Sequence, residues 1–203
     1  MIKTTKESNK HHEFWEWFRV NSELYFEPDK LKESHFKQLL GKLKIIDKHL
    51  TFEIGPVEDM GKRQLIISAN GITSAFDTVL NLVNKAPEFD RWEVLSFRQR
   101  RPDAFDEVRI NDLAVKKDDV FFKYAKDFGR IELEMHVRNY DEDREEYNLA
   151  ALIILDHLLG EYDTEMRISS IYFEILNENE KSDLFPISML PEIVDEYYLE
   201  FHN

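Results

Sequence analysis

His157, Glu161 and Asp163 stand four and then two positions apart, a spacing that could bring an imidazole and two carboxylates around one divalent cation. Such a cation would lower the pKa of a bound water, which is the chemistry of a metal-assisted hydrolase. The same carboxylates follow an apolar helical run that ends at Gly160, where they would oppose the helix dipole, so a structural ion pair with Arg167 is the plainer use. A second set, Glu132, Glu134, His136 and Arg138, alternates with Ile131, Leu133, Met135 and Val137. Alternation puts all four polar side chains on one face of a strand, about 6 to 7 Å apart, where they could gather a metal, a ligand or a partner, or simply meet water. Arg98, Arg100 and Arg101 form a tight basic cluster that could clamp a carboxylate or phosphate, or pair with neighbouring acids. In the tract Phe14-Trp15-Glu16-Trp17-Phe18, Trp15 and Trp17 are either anchors for a partner or part of the interior.

Other chemistries have no handle. With no cysteine in the chain there is no disulfide, thiolate metal site or cysteine nucleophile. Ala69-Asn70-Gly71 lies between a strand and a helix but lacks the further glycines and the lysine that cradle a nucleotide, and it reads as a turn with Thr73 or Ser74 capping the helix. No HExxH, GxSxG, EF-hand or kinase signature occurs, so the sequence calls for no cofactor. The 41 Asp and Glu against 27 Lys and Arg give a formal charge of −14, which repels nucleic acid and attracts a cation or a basic protein. No apolar signal region follows the N-terminus and no run of about 18 apolar residues is present. A cytoplasmic protein without a membrane span is therefore expected.

Stepping from these side chains to the elements that hold them, the periodicity describes a single α+β domain over 1–203. Residues 1 to about 10 read as a flexible tail. His12 to Phe26 carries a broad apolar helical face, and Pro28-Asp29 opens a second helix with Phe36, Leu39, Leu40, Leu43, Ile46 and Leu50 on one stripe, so the two should form an α-hairpin. Period 2 then takes over through Phe52 and Ile54, a turn region from Gly55-Pro56 to Gly61, and Leu65 to Ala69. A helix with Ile72, Val79 and Val83 on one face leads to a strand from Trp92 to Gln99, one crossover with parallel strands. Glu107 to Ile110 reads as a short strand, and residues 103–118 are otherwise not placed. Val120 to Lys126 and Arg130 to Asn139 flank the turn Asp127-Phe128-Gly129. An apolar central helix to Leu159, a strand from Arg167 to Leu176 and a helix from about Ser188 to Phe201 follow. The sheet should be mixed and mainly antiparallel, with helices mostly on one face.

The segments Phe52-Glu53-Ile54-Gly55-Pro56, Leu65-Ile66-Ile67-Ser68-Ala69-Asn70-Gly71, Ala86-Pro87-Glu88-Phe89-Asp90-Arg91-Trp92 and Leu159-Gly160-Glu161-Tyr162-Asp163 resemble those of a bacterial protein family whose domain has no assigned function. The resemblance implies one bacterial cytoplasmic domain and supplies no catalytic residue. The sequence thus points to a non-catalytic acidic binding or protein-interaction module, one version being a neutraliser of a basic partner. The alternative is the metal-assisted hydrolase on His157, Glu161 and Asp163 or on Glu132, Glu134 and His136. A homodimer is open on either reading.

Overall fold

The structure, a computed structural model, describes the backbone of residues 2–58, 60–101 and 106–202, with side chains from Asn9 onward. Asp59 in the turn region and residues 102–105 at the start of the unplaced segment lie outside the described residues. The chain divides into two compact units, Met1–Arg98 and Gln99–Asn203, and each holds its own apolar cluster.

In the first unit, α1 (Ile2–Tyr25) and α2 (Glu33–Ile46) are the two N-terminal helices. α1 begins well before the expected boundary, because the run to His12 contains no Gly or Pro to stop a helix. Its Phe14, Trp15, Phe18 and Tyr25 are buried with Leu39 and Leu43 of α2. Strands β1 (Thr51–Val57) and β2 (Arg63–Ser68) pair antiparallel, and β3 (Trp92–Ser96) adds parallel to β2 after helix α3 (Phe76–Val83). β1 runs through Gly55 and Pro56 instead of stopping before them. It is an edge strand, where a residue without an N–H is tolerated, and the register shifts between Ile54 and Val57. Gly55 is also required by packing, since a Cβ there would meet Cβ of Gln64 at 2.9 Å. The turn before α3 has Asn70 and Gly71 at φ 48° and 76°. A 3₁₀ turn, Thr73–Ala75, leads into the helix, and neither this turn nor α3 has a side-chain cap, contrary to the expected Thr73 or Ser74.

The second unit opens with a hairpin of β4 (Glu107–Ile110) and β5 (Leu113–Lys116), which accounts for most of the unplaced segment. A four-stranded sheet follows, in the order β8-β7-β6-β9. Its members are β6 (Val120–Asp127), β7 (Arg130–Val137), β8 (Ile168–Ile175) and β9 (Phe185–Pro186). β6 pairs antiparallel with β7 and β9, and β7 pairs parallel with β8. The expected single mixed sheet is thus three separate sheets among the described residues, mostly antiparallel, and the class is α+β. Helices α4 (Glu146–Leu159), α5 (Glu161–Arg167) and α6 (Leu190–His202) complete the unit. Ile131, Leu133 and Met135 of β7 are buried in one cluster with Ala150, Ile154 and Leu158 of α4 and with Leu190 and Val194 of α6. These helices therefore cover one face of the sheet.

The sequence missed α5. Gly160 ends α4 at φ 78°, ψ 158° and at once becomes the N-cap of α5. Glu161 and Asp163 consequently occupy the first turn of a new helix, where the dipole favours negative charge. Glu161 and Asp163 therefore do not oppose a helix C-terminus, contrary to the expectation from the sequence.

Candidate functional site

β7 positions the expected polar row, and its neighbours extend that row into a surface. On the face opposite the helices, Ala125, Lys123 and Phe121 of β6 stand beside Glu132, Glu134 and His136, and Ser170, Tyr172 and Glu174 of β8 stand on the other side. Glu132, Lys123, Ala125, Tyr172 and Glu174 are exposed. Strand alternation alone makes this face, since the residues between them are in the core.

The row is not uniformly open. His136 is only 6% exposed, and its Nε2 lies 2.6 Å from Glu134 Oε1, within a hydrogen bond that the ring N–H donates. The chain after β8 closes this end: Glu178 Oε1 is 2.6 Å from Arg138 Nη1, and Lys181 sits 4.4 Å above the Phe121 ring beside His136. Arg138 also donates to Asp119 Oδ1 at 2.6 Å, and that hydrogen bond raises its pKa. Glu132, accepting from Ser170 Oγ at 3.4 Å, and half-exposed Glu134 are the members of the row that face solvent. Tyr172 and Glu174 belong to the same surface and were missed. Their signal was present in the alternation of Ser170, Tyr172 and Glu174 with Ile171, Phe173 and Ile175.

The other candidate set is differently employed. Asp163 accepts from Arg100 Nη2 at 2.5 Å and lies 2.9 Å from Arg167 Nε. Asp195 of α6 receives Arg100 Nη1 and Nη2 at 2.7 and 2.9 Å and Arg167 Nη1 at 2.8 Å. Arg100 Nε also donates to the Leu159 carbonyl at 2.9 Å, one of the carbonyls left over at the end of α4. Two guanidinium groups and two carboxylates thus form a closed, charge-balanced square that ties α4, α5 and α6 together. The hydrogen bond from Arg100 holds the Asp195 carboxyl below its ordinary value against the opposing effect of burial. The anticipated pairing of Asp163 with Arg167 is present, while Arg100 and Asp195 carried no local signal because they are 95 residues apart in sequence. Glu161 is buried and His157 half-buried. Among the described residues no group of three His, Asp or Glu could hold a metal ion.

In the first unit, Trp15 is 2% exposed and its indole N–H donates to the Leu82 carbonyl at 2.9 Å, which makes it interior. Trp17 is half-buried beneath Lys42, 5.6 Å away. Two shallow clefts meet at Pro87, one of ≈380 Å³ at His12, Trp15, Glu16 and Lys85, the other of ≈590 Å³ at Lys62, Val83, Phe89, Asp90 and Trp92. Their charges are mixed, and Lys62 is already bonded to the Phe89 carbonyl at 3.0 Å. Arg98 is paired with Glu53 at 3.1 Å and with Asn70 Oδ1 at 3.0 Å.

No family model, curated protein or solved structure matches the chain. Among the described residues no helix is long and apolar enough to cross a membrane. What distinguishes the two units is charge. Residues 1–98 contain 15 Lys and Arg against 15 Asp and Glu, whereas residues 99–203 contain 12 against 26. The whole formal charge of −14 therefore belongs to the unit that carries the open sheet face.

Proposed function

We propose that the protein is a non-catalytic binding module whose acidic second unit docks a basic protein across the open face of its four-stranded sheet. The observation that carries this reading is the confinement of the net charge to residues 99–203. A field of one sign over one unit steers an oppositely charged partner and raises its rate of encounter. The exposed Glu132, Tyr172 and Glu174 supply the carboxylates and an aromatic platform that such a surface needs. The square of Arg100, Arg167, Asp163 and Asp195 leaves Asp163 committed to structure, which is why a binding role is preferred to hydrolysis at that cluster. Neutralisation of a basic enzyme or toxin by occlusion is the most specific form of the proposal. A reducing cytoplasm is the setting it assumes, in keeping with a chain free of cysteine.

The test is titration of the intact protein with a heptalysine peptide at low and at high ionic strength. Binding should be present at low salt and should weaken steeply once the screening length falls to about 3 Å, near 1 M salt. Absence of binding at low salt would remove the proposal.

A further inference from the structure

The outer edge of β8 offers a row of backbone hydrogen-bonding groups that no strand takes up among the described residues. Exposed edges are normally blunted by proline, lysine, bulges or shortness, and among the described residues every other edge strand carries a proline or is shorter than β8. β1 carries Pro56 and an irregular register, and β3 has five residues. β4 and β5 have four residues each, and β9 has two, one of them Pro186. β8 has eight residues with no proline, lysine or arginine, and after one irregularity near its start the register runs unbroken from Ser170 to Ile175. Along a strand paired in parallel on one side only, every second residue turns its N–H and C=O outward. Tyr172 and Ile175 are 53% and 60% exposed, and Glu174 is exposed as well.

We infer that β8 is a docking edge, and that the partner joins the sheet there as an added strand: an extended protein segment in which Lys or Arg alternates with β-branched apolar residues. The inference rests on the proposed binding of a basic partner and names how that partner is held. Added beside β8, a strand turns one set of side chains toward Ser170, Tyr172 and Glu174 and the other toward Ile171 and Phe173. The first set meets the acidic open face, with Glu132 one strand further in, so cations fit it. The second continues the side of the sheet that packs on the core, where Ile171 and Phe173 are partly buried, so apolar residues fit it. Main-chain hydrogen bonds supply affinity in this mode, and alternate side chains supply specificity. A second copy of the chain is the poorer occupant, because it would bring another unit with the same surplus of carboxylates to the same edge.

The test compares two capped peptides of equal charge, Lys-Val-Lys-Val-Lys-Val-Lys and Lys-Pro-Lys-Pro-Lys-Pro-Lys, on the intact protein at low salt. Proline removes the N–H and holds the chain away from the extended strand conformation. The valine peptide should bind at least about ten-fold more tightly and slow hydrogen exchange of alternate amides between Ser170 and Ile175. Equal binding of both peptides with β8 exchange unchanged would overturn strand addition while leaving electrostatic docking in place. Binding of neither would overturn both. Protection of the β8 amides in a dimer without peptide would also overturn the inference, by showing that a second copy fills the edge.

Discussion

Asp195 shows how much of this protein is settled by single side chains. It holds both Arg100 and Arg167, and its pKa is lowered because the hydrogen bond from Arg100 outweighs desolvation. A folded-state pKa below the unfolded one contributes stability that is present above the ordinary carboxylate value and lost as pH falls through the folded value. Urea melts between neutral pH and pH 2 should therefore show stability declining below about pH 4, and Asp195→Asn should remove part of that slope. Because Asp195 is partly exposed, the variant should cost only about 1 kcal/mol at neutral pH; no change in either the slope or the stability would mean that the square is ornamental. The two tryptophans separate on the same logic of burial. Trp15→Ala should lose about 3 to 5 kcal/mol, as buried aromatic truncations do, and Trp17→Ala much less, since Trp17 is half-buried. Equal losses in thermal or urea unfolding would contradict the assignment of Trp15 alone to the core.

The elements differ in how far they could be read from the chain. The β6–β7 hairpin was legible because four apolar and four polar residues alternate along β7 and a glycine stands in the turn. Register adds that Asp127 faces Arg130, so Phe128 and Gly129 alone form the loop, with φ 43° and 84°. Two positive φ values in succession favour Asn-Gly, and Phe128 is fully on the surface. Phe128→Asn should then stabilise the protein by up to about 1 kcal/mol, since asparagine visits the left-handed region more readily, measured by urea unfolding, and a loss would show that the phenyl ring has a packing role. Unlike β4, which was expected over Glu107 to Ile110, the elements α5, β5 and β9 were not legible. They are seven residues long or shorter, and what holds α5 and β9 is distant, Arg100 and Asp195 for α5 and Phe121 and Phe122 for β9, while β5 is held by its hairpin partner β4. Gly160 was expected to end α4, and it does, at φ 78° and ψ 158°, a region essentially restricted to glycine. The candidate surface followed the same division. Glu132 and Glu134 were evident from alternation, while the burial of His136 was not, and the contacts at that end of the row, Glu178 with Arg138 and Lys181 with Phe121, come from 42 or more residues onward.

Over the whole molecule, the balance of charge separates the two units more sharply than any motif does. A neutral unit built around clustered aromatics, many of them edge to face, accompanies a unit with 26 carboxylates and 12 cations. Several of those carboxylates are internally matched, as in the square and in the pair of Lys126 with Glu200, 2.5 Å apart. Those on the open sheet face include Glu132 and Glu174, which form no ion pair with a cation among the described contacts and are the natural contributors to an external field. The most direct measurement compares two triple variants of equal charge change. One is Glu132→Gln, Glu134→Gln, Glu174→Gln on the sheet face, the other Asp141→Asn, Glu142→Gln, Asp143→Asn in the exposed turn before α4. Both should unfold within about 1 kcal/mol of the parent, because the altered groups are at the surface. Calorimetric titration with the Lys-Val heptapeptide should find binding weakened at least about ten-fold by the sheet-face variant and much less by the turn variant; equal weakening by the two would mean that net charge alone attracts the peptide and that the sheet face is not where it docks.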